Sequence, residues 1–76
     1  MRIRVTLHSV LREKLPPEAK GQTQFVLPDG STLSAVVTRL GMTDMVYAIN
    51  GSVERNWERP LRDTDEVDVF VRAGGG

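Results

Sequence analysis

Few residues of this chain are placed to do chemistry, and most of them stand at its end. The last stretch reads VFVRAGGG: an apolar run, then Arg72, Ala73, Gly74, Gly75, Gly76 and the terminal carboxylate. A tail that only has to be loose can be built from any polar residues, so the glycines pose a choice. Either they are slack, or another molecule needs a backbone without side chains. Elsewhere the usual reactive sets are missing. There is no cysteine, hence no thiolate for nucleophilic attack or soft-metal binding, and no disulfide. His8 stands alone on the polar side of an alternating run, without the clustered ligands that a metal requires. Asp29-Gly30 is turn chemistry, with no phosphate-cradling pattern around it. No nucleophile–base pair can be read, and a chain of 76 residues leaves no room for a sizeable pocket. The expectation is a protein that is not an enzyme and binds no metal or cofactor of its own.

Composition narrows the partners. Ten basic residues balance ten acidic ones, whereas a binder of nucleic acid or anionic membrane needs a basic excess. The opening MRIRVTLHSV alternates charged and apolar residues and lacks the apolar stretch of a signal peptide. No run approaches membrane-spanning length. A soluble, cytoplasmic domain is expected, and a single small one, since a chain this short buries only about 60% of its unfolded surface.

The elements that must carry the tail can be read from periodicity. RIRVTLH alternates, with Ile3, Val5 and Leu7 on one side, as in a half-buried strand. SVLREKLPPEAKGQ follows, with Val10, Leu11 and Leu15 spaced for a short helical turn that Pro16-Pro17 stops. TQFVLPDG predicts a second strand with Phe25 and Leu27 inward and Val26 outward, closed by the turn residues Pro28-Asp29-Gly30. Ser31 or Thr32 then caps a helix whose Leu33, Val36, Val37 and Leu40 form one apolar stripe, with Gly41 as its left-handed stop. Asn50-Gly51 signals a tight hairpin. Leu61 anchors a loop in which Trp57 is expected to cover a small satellite cluster with Pro60 and Leu61. Asp63, Asp65, Glu66 and Asp68 read as a solvated turn that could also meet a basic groove. EVDVFV is the last strand, with Val67, Val69 and Val71 to one face and Asp68 and Phe70 to the other. Strand, strand, helix, hairpin, strand makes a two-layer α+β domain: a β-grasp, its mixed sheet of four to five strands packed against one main helix. The domain is assigned to residues 1–71, and 72–76 to a flexible glycine tail.

The segments FVLPDGSTLSAVVTRLG, YAING and PLRDTDEVDVFVRAGGG, in this order and ending on glycine, resemble the ubiquitin-like sulfur carriers. These are the small subunit of molybdopterin synthase (MoaD) and the thiamine-pathway carrier (ThiS). The segment VLREKL after the first strand is closer to the MoaD branch. Thr64 stands where the family usually has glycine, so its turn either avoids a glycine-only conformation or is strained. The tail has three glycines rather than two, and Arg72-Ala73 replaces a proline-containing approach.

The resemblance implies a function for the tail. A partner of the ubiquitin-activating type would use ATP to adenylate the Gly76 carboxylate. Sulfur would then replace the adenylate, and the thiocarboxylate would serve a synthase subunit or sulfurtransferase in cofactor biosynthesis or thiolation. A carboxylate oxygen leaves badly, and adenylation turns it into a good leaving group. Arg72 to Gly76 spans at most roughly 17 Å when extended, at about 3.3–3.6 Å per residue. Gly74, Gly75 and Ala73 can thread a narrow channel, but ordering the three glycines costs roughly 3–6 kcal/mol. Affinity must therefore come from the folded body. An outward patch with Phe70 as apolar anchor and Val26 as a weaker one is expected, although Phe70 could equally pair across the sheet. Two other readings fit the same residues: a ubiquitin-like modifier conjugated through Gly76, or a β-grasp interaction domain with an idle tail.

Overall fold

Strict alternation over Arg2–Leu7 puts Ile3, Val5 and Leu7 on one face, almost completely buried, and this run forms β1. The computed structural model describes residues 1–72; of the expected tail 72–76, Ala73 to Gly76 lie outside them. β2 (Gln22–Val26) runs antiparallel to β1, and α1 (Leu33–Leu40) follows. The hairpin of β3 (Met45–Ile49) and β4 (Ser52–Val53) leads through a long loop to β5 (Glu66–Val71). Spatial order is β2-β1-β5-β3-β4. β5 lies parallel to β1, with Val5 opposite Val67, and antiparallel to β3. Leu33, Val36 and Val37 of the helix close the core over Ile3, Val5, Leu7, Tyr47, Ile49, Val67 and Val69. This is the β-grasp arrangement.

Several local expectations change in the fold. The first connection winds as two 3-10 turns, Ser9–Lys14 and Pro17–Ala19; Leu11 is buried, but Val10 points to solvent. The spacing of Val10, Leu11 and Leu15 predicts a short helical turn; in the tighter three-residue turn that forms, Leu11 faces the core and Val10 does not. Thr32 is the N-cap of α1 but makes no capping hydrogen bond with its side chain. Ser31 Oγ instead donates to the Pro28 carbonyl at 2.7 Å. The free N–H groups of Leu33 and Ser34 donate to the carbonyls of Arg59 (3.0 Å) and Trp57 (2.8 Å), so a distant loop caps the helix. Gly41 does take the left-handed stop, φ 70°, its N–H reaching the Val37 carbonyl at 2.9 Å. Val71 is 43% exposed rather than inward with Val67 and Val69. β1 pairs with β5 only as far as Val69, so among the described residues Val71 has a strand neighbour on one side alone, Met45. Trp57 does not build a satellite: its ring meets Tyr47 edge-on at 5.9 Å and packs on the main core, where Leu61 is also buried.

The acidic stretch is wired into the fold rather than merely solvated. Asp65 is nearly buried and accepts from Asn50 Nδ2 at 2.9 Å and from the Arg62 N–H at 2.8 Å. Asn50 Oδ1 in turn accepts the Glu66 N–H at 2.9 Å, and Asp63 accepts the Arg2 N–H at 2.7 Å. The turn before β5 is thereby tied to both the hairpin and β1. Thr64 sits inside it with φ 71°, the region where a Cβ crowds the backbone. Of its two alternatives, this turn takes the strained one. A left-handed non-glycine residue costs about 1–2 kcal/mol, and glycine's extra unfolded-state freedom offsets about 0.5–1 kcal/mol of that. Thr64→Gly is therefore expected to stabilise the fold by about 0.5–1 kcal/mol, seen as a higher urea midpoint with unchanged slope.

Tyr47 donates its hydroxyl to the buried Met42 carbonyl, and burial pushes its phenol from 10.0 up to about 12. The folded state favours the neutral ring, so this contribution is complete below pH 10 and is lost as the pH rises from 10 to 12. Its full size is about 2–3 kcal/mol. Urea midpoints of the wild type should fall across that window relative to those of Tyr47→Phe; parallel curves would contradict the assignment.

Candidate functional site

The tail leaves from the middle of the sheet. β5 is flanked by β1 from Glu66 to Val69 and by β3 from Val67 to Val71, and Val71, opposite Met45, is its last residue. Arg72 follows, exposed, its Nε 3.3 Å from Asp44 Oδ1. Neither partner is buried, so this pair holds the root of the tail only weakly.

Beside the root, the outward face of β5 carries Asp68 and Phe70. Register puts Thr6 and Ala48 on either side of Asp68, and Val46 across from Phe70. Beyond Leu7, the N–H of His8 continues the ladder by donating to the Val69 carbonyl at 3.0 Å. That brings the imidazole flat against the Phe70 ring, 4.4 Å between centroids and 11° between planes. His8 Nε2 lies 2.9 Å from Asp68 Oδ1. The carboxylate fixes the imidazole, and the imidazole covers one face of Phe70. What remains, 37% of the residue, is a fixed aromatic surface beside the root of the tail. Such a rigid aromatic gives contact area with little ordering cost.

Val26 does not belong to this surface. It is 70% exposed and on the same side of the sheet, but it pairs with Arg2, at the opposite end of β1 from His8. Six strand residues separate those ends, about 20 Å. Arg39 borders Val26 instead, its guanidinium 4.8 Å over the Phe25 ring and 3.5 Å from the Val26 carbonyl. Alternation assigns a face, but it does not say how far along the face a residue lies. His8 and Val46 were not expected in the patch. The signal for His8 was there: it continues the outward series Arg2, Arg4, Thr6, and a parallel β1–β5 pairing carries that series towards Phe70.

Of the expected tail residues, Arg72 alone is described, and Ala73, Gly74, Gly75 and Gly76 lie outside the described residues. Among those described, no group of three or more His, Cys, Asp or Glu side chains could hold a metal ion. No helix is long and apolar enough to cross a membrane. The arrangement places a partly exposed aromatic ring, backed by the His8–Asp68 pair, on the strand that ends at Arg72.

Comparison with known proteins agrees with this geometry. The model of the ThiS family matches residues 5–76. No curated protein sequence matches the chain significantly. Among solved structures, a protein described as molybdopterin converting factor subunit 1 from Pyrococcus furiosus superposes with a TM-score of 0.77 at 18% identity. The match covers 95% of this chain and 98% of that one. SAMP1 from Haloferax volcanii matches at 0.75 and 14% identity over 100% of both chains. A third match is the complex of subunits 1 and 2 of molybdopterin-converting factor from Helicobacter pylori, at 0.62 and 18% identity over 100% of both chains.

Proposed function

The chain belongs to the ThiS family of small ubiquitin-like sulfur carriers, and we propose that its working group is the Gly76 carboxylate. A partner enzyme of the ubiquitin-activating type adenylates it with ATP, releasing pyrophosphate, and a sulfide-level sulfur donor then displaces AMP from the acyl carbon to give a thiocarboxylate. ATP belongs to that partner's site; the carrier itself contributes the acyl group and the surface that delivers it. The observation that supports this most strongly is the junction at Arg72. A strand held in the centre of the sheet ends there, next to a fixed aromatic surface, and the sequence continues as Ala-Gly-Gly-Gly.

The physical division of labour follows. Threading a glycine tail costs ordering entropy, and Phe70, backed by His8, supplies apolar contact close enough to the tail to offset it. The thiocarboxylate then passes to a sulfur-accepting synthase subunit, as the Helicobacter pylori pairing of subunits 1 and 2 suggests by analogy. A cytoplasmic setting, where ATP is available, is part of the same proposal.

Removing Gly75 and Gly76 should abolish ATP-dependent pyrophosphate release by the activating enzyme while leaving the urea midpoint unchanged. Retained adenylation would refute the proposal. With the intact tail, Phe70→Ala should lower kcat/KM for activation about tenfold or more, whereas Val26→Ala, at the far end of the sheet, should change it less than about twofold. Equal effects of the two would contradict the assigned patch.

A further inference from the structure

The second strand of the hairpin is unusually short, and the reason lies elsewhere in the fold. β4 pairs only Ser52 and Val53 with Ile49 and Ala48, and one further bond joins the Glu54 N–H to the Tyr47 carbonyl at 2.9 Å. The chain cannot continue along β3, because the carbonyls of Trp57 and Arg59 are needed at the start of α1. A tight turn makes the departure: Asn56 N–H donates to Glu54 Oε2 at 3.1 Å, and Glu58 N–H to Asn56 Oδ1 at 3.0 Å. Among the described residues, the first half of β3 has no strand neighbour on that side.

Register says which backbone groups are exposed by this. In a two-residue hairpin the residues flanking the turn form a hydrogen-bonded pair, and alternate residues face alternate neighbours. Ile49, Tyr47 and Met45 therefore direct their peptide groups away from β5. Met45, and the N–H of Tyr47, face a groove of about 460 Å³ whose walls include Val53, Trp57, Arg55 and Arg72. Its charge is cationic in effect. Glu54 is engaged by Arg59 at 3.5 Å; among the described residues Arg55 has no ion pair and Arg72 pairs with the exposed Asp44. The other edge of the sheet, β2, is partly guarded by Arg39, which lies over Phe25 and reaches the Val26 carbonyl.

We propose that this groove is a second docking site, which takes an extended acidic segment of a partner protein as an added strand on Met45–Tyr47. Backbone pairing would give affinity, and carboxylates on the segment would meet Arg55 and Arg72. Because Arg72 is also the root of the tail, the segment would lie alongside the tail and set its direction. The carrier reading enters only in naming the partner; the binding itself does not need the tail.

The probe is the capped heptapeptide Val-Asp-Val-Asp-Val-Asp-Val, titrated into the full ¹⁵N-labelled chain, and into the chain lacking Gly75 and Gly76. The expected result is saturable shifts of the Met45 and Tyr47 amides in both chains, equal within about twofold. Joint substitution Arg55→Glu and Arg72→Glu should weaken binding about tenfold or more, the worth of about 1.4 kcal/mol, as should replacing each aspartate of the peptide by lysine. Shifts confined to Gln22–Val26, no shifts at all, or equal binding of the lysine peptide would overturn the proposal. Adenylation retained by the chain lacking Gly75 and Gly76, with peptide binding intact, would refute the carrier reading alone.

Discussion

The parallel pairing of β1 and β5 is the constraint on which the rest of the molecule depends. It joins the two ends of the described chain in the centre of the sheet, and each strand contributes its buried residues there: Ile3, Val5 and Leu7 from one, Val67 and Val69 from the other. Burying side chains of this size stabilises by about 1.5–3 kcal/mol each relative to exposure, so this seam carries a large share of the core. Parallel strands cannot be joined by a tight turn, and everything between them serves as the crossover. The helix has one face to cover, and the hairpin has one free side of β5 to occupy. The same pairing carries His8 onto Phe70 and releases the tail from a rigid position.

Holding that register needs polar wiring as well as apolar burial. Asp65 and Asn50 lock the hairpin turn to the start of β5, and Asp63 does the same for Arg2. The N-terminal ammonium adds a further tie, donating to the Leu27 carbonyl at 2.8 Å. Thr64 is the local strain within this wiring. Its N–H bonds to the Arg2 carbonyl at 2.9 Å, which holds the left-handed turn in place despite its side chain. The region before the last strand is thus over-determined.

Much of this was legible from residue types. Two-residue alternation located the first and last strands, the 3–4 spacing of Leu33, Val36, Val37 and Leu40 located the helix, and Asn50-Gly51 marked the hairpin. Their order alone was enough for the β-grasp. What could not be read was anything that depends on how far an element extends over its neighbour. Val71 has the inward parity of Val67 and Val69 but lies beyond the end of the β1 pairing. Val26 shares a face with Phe70 but not an end. The cap of the helix came from carbonyls of Trp57 and Arg59, which carry no sequence signature, and the same recruitment opened the edge of β3. For the site, Phe70 and Arg72 were nameable from the sequence, whereas His8 and Val46 joined them only through cross-strand register.

The central claim is that the terminal carboxylate of Gly76 carries sulfur. The most direct measurement is the intact mass of the protein isolated from its own cells, with fragmentation that assigns any change to the C-terminus. The account predicts a fraction of molecules in which one oxygen of Gly76 is replaced by sulfur. Gly76 found only as an unmodified carboxylate, or joined through an amide bond to another protein, would contradict it.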